Sequence, residues 1–359
     1  TKLRNFADHE AHQIITYIEE KLLDVEVIAH LPGIVEKAME YNDVYKRFGI
    51  NSSEYYNLNN EPSSFINSIQ KSYDFYDIFF ISLTGDIIFS IKHESDFGTN
   101  LITGPYSNTE LAKVYNILVT QLDIQISEFK IYEPSGVPAA FIAAPLYDQK
   151  ELIGVLAIQL NTFQIYHLVQ DYTGLGETGE IVLGSKVDDE VLFVAPLRFA
   201  PDAAFNQRTK FGSSIALPMQ EAVHGNHGFG FSIDYRGKEI IADWRYLPNL
   251  SWGMVVKMDV EEAFAAATII RNSSIFIGIF TLLLVILIAL IQSRKFTDPI
   301  IGLTRATESI AAGDFSSGIH ASSGDEVGVL AASFRKMTDN LQNAIMSRDK
   351  EINERKKGE

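Results

Sequence analysis

The strongest constraint in this chain is a stretch that contains no charge. From Asn272 to Ser293 no Asp, Glu, Lys or Arg occurs over 22 consecutive residues, which are built around FIGIFTLLLVILIALI. At about 1.5 Å per residue a helix of that length spans roughly 33 Å, against about 30 Å for the hydrocarbon core of a bilayer. A membrane-spanning helix over 272–293 is therefore expected, and it divides the rest of the chain into two sides. Residues 1–271 carry 20 Lys and Arg against 36 Asp and Glu, while 294–359 carry ten of each, so the net charge of −16 belongs to the N-terminal side. An acidic surface of this kind argues against nucleic acid as a partner and against attraction to an anionic lipid surface. Arg294 and Lys295 follow the apolar run directly, whereas Asp259, Glu261 and Glu262 precede it with only Lys257 and Arg271 as nearby cations. Positive charge favours the cytoplasmic side, so residues 1–271 are expected outside and 294–359 inside. A signal or first membrane segment is then expected upstream of Thr1. The chain has no cysteine, so neither a disulfide framework nor a thiolate zinc site is available.

The N-terminal side reads as α+β. Residues 1–46 form a long helix in which Ile15, Ile18, Leu22, Val25 and Ala29 recur at spacings of three and four, a seam that asks for a partner helix or a second copy of the chain. Pro32 is expected to bend this helix rather than end it. From Tyr73 the pattern changes to strands. IFFISL and IIFSI are joined by Thr84-Gly85-Asp86 as a hairpin, Asn108–Leu122 has helical spacing, and EFKIYEP, VPAAFIAAPLY and ELIGVLAIQL read as three more strands. That makes one unit of five strands with one or two helices over 47–170. A second unit, 171–271, repeats its ending. GVLAIQLN leads into the helical FQIYHLV and GMVVKMD leads into the helical VEEAFAAA, and the hairpin FSIDY/KEIIADWRY turns at Arg236-Gly237. The competing explanation is that unrelated antiparallel sheets often end this way.

Motifs that could carry chemistry are few. GLGETG (Gly174 to Gly179) fits the dinucleotide pattern, but that mechanism needs a strand before it and a helix after it, and here the order is reversed. Glu177 would also repel a pyrophosphate, so a flexible link between units is expected. His9 with His12 and His224 with His227 have ligand-like spacing without the flanks of a metal site, and read as surface or loop residues. No catalytic constellation, metal site or cofactor is expected. A ligand pocket is more plausible: Tyr73, Tyr76, Tyr106, Tyr115 and Tyr132, with Lys92, Glu133 and Ser135 on adjoining strand ends and loops, combine apolar walls with a few placed polar groups. Core packing with the hydroxyls at the rim is the competing reading for each tyrosine.

The segment after the apolar run contains two short helices. Asp298 can cap a helix starting at Pro299, with a seam at Ile300, Leu303, Thr307 and Ile310, and Gly313 stands where that helix needs a left-handed end. Ser323 with Glu326 forms a capping box for a second helix, whose seam is Val327, Leu330, Phe334, Met337 and Leu341. Two such helices give one chain too little core, so dimerisation into four is expected. Residues 298–342 resemble a HAMP domain: Pro299 near the start, Gly313 after the first helix and Asp325-Glu326-x-Gly328 opening the second match that family's pattern. A HAMP module over 294–346 implies signalling roles for Pro299, Leu303, Ile310, Gly313, Glu326, Leu330, Phe334 and Met337.

With that anchor, residues 1–271 resemble a double Cache sensor, a long helix followed by two PAS-like units. YDIFFISLTGDIIFS, GPY, PSGVPAAFIAAPLYD, LIGVLAIQL and GLGETGE carry the resemblance. It implies a ligand in the membrane-distal unit, for which Tyr76, Lys92, Tyr106, Tyr115, Tyr132, Glu133 and Ser135 are the candidates. The arginine-tryptophan signature of the family's amino-acid binders is absent, so an amino-acid ligand is not supported. The tail 347–359 resembles the charged linker that leads from HAMP into a histidine-kinase module. The expectation is therefore the input half of a homodimeric bacterial membrane receptor that binds a small molecule and acts through a downstream output domain or response regulator. A sensor kinase is preferred, with a methyl-accepting chemoreceptor or a cyclase receptor as alternatives. A partner protein docking in place of a free ligand, and a membrane-anchored extracytoplasmic enzyme, are rivals.

Overall fold

The computed structural model describes residues 2–60, 64–315, 318 and 324–357. The chain forms two compact units divided between Phe264 and Ala265. The first opens with four helices: α1 (Lys2–Ala29), α2 (Pro32–Phe48), α3 (Ser53–Asn60) and α4 (Ser64–Ser72). The long helix expected over 1–46 is thus two helices. Leu31, which precedes proline, is extended at φ −69° and ψ 124°, and Pro32 opens α2 at its first turn. A residue before proline avoids the helical region, and proline itself has no N–H to continue the ladder, so the chain breaks where a bend was expected. The α1 seam also differs from expectation. Ile14, Ile18, Val25 and Ile28 are fully buried by the chain's own sheets, with no second copy required.

The first lobe contains β1 (Phe75–Ile81), β2 (Ile87–Ser90), α5 (Glu110–Gln121), β3 (Gln125–Ile126), β4 (Lys130–Tyr132), β5 (Val137–Ala139), β6 (Phe141–Asp148) and β7 (Glu151–Leu160). Its sheet runs β2-β1-β7-β6-β3, while β4 and β5 form a separate hairpin. Five strands were expected, but EFKIYEP lies outside the main sheet, and the edge place goes to the two residues of β3. Thr109 caps α5 by accepting from the Ala112 N–H. Helix α6 (Thr162–Gln170) follows.

The second lobe contains β8 (Glu180–Val187), β9 (Glu190–Phe193), β10 (Arg208–Lys210), α7 (Leu217–Val223), β11 (Gly228–Ile233), β12 (Glu239–Leu247) and β13 (Trp252–Asp259), and ends in the short α8 (Val260–Ala263). Its sheet runs β10-β9-β8-β13-β12-β11. Leaving out the edge strand β10, both lobes follow one plan. The last strand lies between the first and the last but one, and then runs straight into a helix. The repeat read from two short sequence matches is therefore a repeat of topology. Both sheets are covered on both faces: α1 and α2 pack a shared core on one side, while α5 and α7 each cover the other side of their own sheet. Double burial explains why β1 reads as a continuous apolar run rather than an alternating one.

The second unit is helical: α9 (Ala265–Gln292), a π-helical turn over Ser293–Thr297, α10 (Asp298–Ala311) and α11 (Glu326–Lys357). None of the α9 residues is buried within the chain, and the helix is long and apolar enough to cross a membrane. Asp298 does not cap a new helix. It has helical angles, φ −62° and ψ −46°, and its N–H bonds back to Ser293 O across five residues. The π turn relieves the clash and the lost donor that Pro299 would otherwise impose on a continuous helix. Gly313 has φ +90° and donates to Ile310 O, ending α10 as expected. The cap of α11 is Asp325, whose Oδ1 accepts from Val327 N and Gly328 N at 3.1 and 3.3 Å. Glu326 is then the first helical residue rather than the third, and the expected partner Ser323 lies outside the described residues. Leu303, Ala306 and Ala331 form the buried contact between α10 and α11, flanked by Ile310, Val327 and Phe334. Ala306 thus takes the place expected for Thr307, which is exposed.

A close approach in the second lobe gives a stability test. A Cβ on Gly253 of β13 would lie 2.7 Å from the Ala222 side chain and 2.9 Å from the Val223 backbone nitrogen. Gly253→Ala is expected to lower the unfolding free energy by about 1–3 kcal/mol in urea titration.

Candidate functional site

The sequence of β1, FYDIFFI, places an acid among apolar residues, and the pleat decides where it points. Asp77 falls on the same face as Phe79 and Ile81, the face covered by α5, and is fully buried. It pairs across the sheet with Gln159 of β7, which pairs in turn with Phe141 of β6. Asp77 Oδ1 accepts from the N–H groups of Ile78, Ile91 and Lys92 at 2.7, 2.8 and 3.2 Å, and Oδ2 accepts from the Ser90 hydroxyl at 2.6 Å. Burial pushes its pKa up to about 6, although these hydrogen bonds pull the other way. The carboxylate therefore holds the chain as it turns away from β2.

Two further acids follow in that turn. Glu94 accepts from the Tyr76 hydroxyl at 2.8 Å, and the fully buried Asp96 accepts from the Tyr132 hydroxyl at 2.5 Å. Tyr132 stacks edge-on to Phe141, with 4.8 Å between ring centres. Burial comes first among the causes that raise the Tyr132 pKa, followed by the charges of Asp96, Glu94 and Asp77, so the three carboxylates share one neighbourhood. Desolvation likewise raises the pKa of Asp96. Asp96 Oδ1, Glu94 Oε2 and Gln159 Oε1 are buried without a hydrogen-bond partner. Among the described residues, no ion pair reaches these acids. Lys113 and Lys130 go to Glu110, and Lys92 lies exposed over the Tyr76 ring at 5.0 Å.

Of the seven candidates read from the sequence, Tyr76 and Tyr132 bond directly to this acidic group. Lys92 and Tyr106 stand at its edge, the latter donating to Ser95 Oγ at 2.7 Å. Tyr115 lies beyond the opposite end of β1, where its hydroxyl donates to Ser82 O at 3.1 Å, so it is a packing residue. Ser135 and Glu133 belong to the β4–β5 turn: Ser135 Oγ donates to Tyr132 O at 3.4 Å, and Glu133 is exposed. Tyr73 stacks on Phe75 outside this face. Asp77, Glu94, Asp96 and Gln159 escaped the sequence reading. The available signal was a polar residue at an inward position of an otherwise apolar strand, in FYDIFFI and in GVLAIQL.

The loop GLGETG is pinned rather than flexible. The N–H groups of Glu177 and Thr178 donate to the Glu262 carboxylate at 2.8 Å each, and the Thr178 hydroxyl also bonds to it. Gly176 adopts φ +70°, and a Cβ there would collide with Glu262. The glycine loop thus cradles an anion, but the anion is the chain's own carboxylate at the start of α8. His9 and His12 are exposed on α1, and His224 and His227 are exposed after α7.

The family model describing the Cache domain matches residues 1–267, and that describing the HAMP domain matches 291–343. The chain is similar to the methyl-accepting chemotaxis protein PctB of Pseudomonas aeruginosa, with 28% identity over 101 residues, 28% of this chain and 16% of that one. It is also similar to the methyl-accepting chemotaxis protein McpC of Bacillus subtilis, with 22% identity over 112 residues, 31% of this chain and 17% of that one. Each match thus spans about a sixth of the relative's length. Among solved structures, the ligand-binding domain of the Pseudomonas fluorescens chemoreceptor CtaA in complex with L-alanine aligns over 73% of this chain and 97% of that one, at 15% identity and a TM-score of 0.45.

The buried acid predicts a pH dependence. Asp77 titrates near 6 when folded and near 3.9 when unfolded, so the folded state holds its proton more tightly. Its stabilising contribution is fully present below about pH 4 and is lost as pH rises through about 6. Asp77→Asn keeps the Oδ1 acceptor and removes the titration. Between pH 4 and pH 7.5 the unfolding free energy of the variant is expected to fall less than that of the unsubstituted chain, by about 3 kcal/mol at most.

Proposed function

The chain belongs to the Cache domain family and carries a HAMP domain after a membrane-spanning-type helix, and from that premise we propose that it is the sensory half of a bacterial chemoreceptor whose first lobe binds a protonated amine. The observation that carries this reading is the group of the buried Asp77 and Asp96 with the half-buried Glu94 beside Gln159, in which Asp96 Oδ1 and Gln159 Oε1 lack partners. Three acids around two tyrosine hydroxyls suit an ammonium group, which supplies three donors and one positive charge. No arginine occurs between Arg47 and Arg198. The bidentate fork that best holds a ligand carboxylate is therefore missing from this lobe, which favours amines over amino acids. Asp77 and Asp96 are fully buried, so the ligand enters by displacement of the turn Ile91–Asp96.

The route outward follows the chain. Gln159 lies near the end of β7, which leads into α6 and then into the loop that grips Glu262 in the short α8, three residues before α9 begins. A ligand drives such a route only through differential affinity for two packings, and reversing a 1:99 population takes about 5.5 kcal/mol. Residues before α9 lie outside the cell, Arg294 and Lys295 mark the cytoplasmic side, and α10 and α11 receive the signal. The two curated relatives are chemotaxis receptors, which favours a chemoreceptor over the kinase expected from the charged tail. Leu330 and Met337 are 49% and 47% exposed beside the α10–α11 contact, an apolar strip that suits pairing with a second copy.

Two measurements test this reading. Isobutylamine near 100 times its Kd is expected to raise the melting temperature by roughly 6 °C, equivalent to about 2.7 kcal/mol, while L-valine gives a smaller shift and Asp96→Asn abolishes the amine effect. Equal shifts for amine and amino acid would sink the amine assignment. Leu330→Glu is expected to freeze the output of the complete receptor in one state and, by linkage, to move amine affinity in the direction of that state, tighter if it is the ligand-bound packing and weaker if it is the other, as read by swimming-cell tracking and calorimetry.

A further inference from the structure

The topological repeat allows the two lobes to be compared residue by residue, and it gives a partner to the acidic group. In the first lobe the pair joining the first and last strands is Asp77 and Gln159; in the second it is Glu180 and Lys257. Both pairs lie on the helix-covered face, beneath α5 in one lobe and α7 in the other, and all four residues are at most 2% exposed. Where the first lobe has a neutral amide, the second has a lysine. Its ammonium lies 2.5 Å from Glu180 Oε1 and 2.6 Å from Asp234 Oδ2, and 4.8 Å from the centre of the Tyr235 ring. The Tyr235 hydroxyl donates to Glu180 Oε2 at 3.2 Å, as Tyr132 does to Asp96. Asp234 is held in turn by Arg236 at 2.6 Å and by the N–H groups of Arg236 and Lys238. Two carboxylates and an aromatic face around one ammonium are the elements of an amine site. Beside Val182, Phe193 and Met219 a cavity of only about 20 Å³ remains, room for one water at most.

We propose that the second lobe is a self-liganded amine site: Lys257 is its tethered occupant, and removing the side chain turns the lobe into a site for a small free alkylammonium ion. If the two acids instead took up protons once the lysine was gone, the opposite result would follow, because the cavity would then select by size and not by charge.

Lys257→Ala deletes three carbons and the ammonium, so propylammonium replaces what is lost. The full chain in detergent is followed by thermal unfolding with propylammonium chloride, 1-propanol or potassium chloride at matched concentrations. Propylammonium is expected to raise the melting temperature of Lys257→Ala saturably, and by several degrees more than it shifts the unsubstituted chain, whereas propanol and potassium chloride do neither. The excess shift is expected to vanish in the triple variant Lys257→Ala/Glu180→Gln/Asp234→Asn and in Lys257→Met, where the acids are neutralised or the cavity stays filled. If Lys257→Ala is unfolded without amine, the folded fraction recovered on refolding with each additive is read instead, with the same expected order. Equal effects of propanol and propylammonium, or an excess shift that persists in the triple variant, would overturn the proposal. Because the readout is the excess over the unsubstituted chain, it is independent of amine binding in the first lobe.

Discussion

In both lobes the closing strand is laid between the opening strand and its own predecessor, and this antiparallel pairing of first with last governs what the rest of the chain can do. It brings residues some 80 positions apart into register, Asp77 with Gln159 and Glu180 with Lys257. It also means that the chain leaves each sheet from the centre and not from an edge. A displacement of the central strand is then passed directly to α6 in one lobe and to α8 in the other. The helices on both faces keep those central strands dry, so every polar group placed there must find a partner within the protein or bind one from outside.

The two lobes solve that requirement differently. In the second lobe an internal cation sits between two acids, and the region is neutralised by its own sequence. In the first lobe the acids are satisfied only in part, by tyrosine and serine hydroxyls and backbone amides, at the cost of a raised pKa for Asp77 and Asp96. Burying charge without a counter-ion opposes folding, and a charged ligand is one way in which the imbalance is relieved. The same polar plan thus leaves one lobe with its acids ion-paired and the other with acids that lack a cation, and the cation's place is occupied by Lys257 in one lobe and Gln159 in the other.

Downstream of the lobes, local conformations tie the elements together. The glycine loop after α6 can grip Glu262 because Gly176 has left-handed backbone angles and no Cβ, and the grip falls where the chain turns from β13 into helix. Past the apolar helix, Pro299 is accommodated by a π turn, so helical structure continues from Ala265 to Ala311 where a break and a fresh cap were expected. Among the described residues the α10–α11 contact is small, with Leu303, Ala306 and Ala331 as its buried apolar residues.

The sequence alone determined whatever depends on neighbours along the chain. The apolar run, the longer strands of both lobes but not β3, β9 or β10, the repeated strand-to-helix endings, the left-handed Gly313 and the Asp-Glu-x-Gly start of α11 were legible, because hydrophobic spacing and backbone preference act over a few residues. Of the candidate site, only Tyr76 and Tyr132, with Lys92 and Tyr106 at the edge, were legible. Tyr115 and Ser135 had the right residue type but satisfy their hydroxyls on nearby carbonyls. What tertiary structure decided is which polar residue faces which: that Asp77 points inward, that Asp96 comes to it from a later turn, that the α1 seam is covered by the chain's own sheets, and that Glu262 fills the glycine loop. Those outcomes depend on pairing between residues from about 20 to more than 80 positions apart, and a sheet register that turns a side chain toward the core or the solvent leaves no trace in the spacing of adjacent residues.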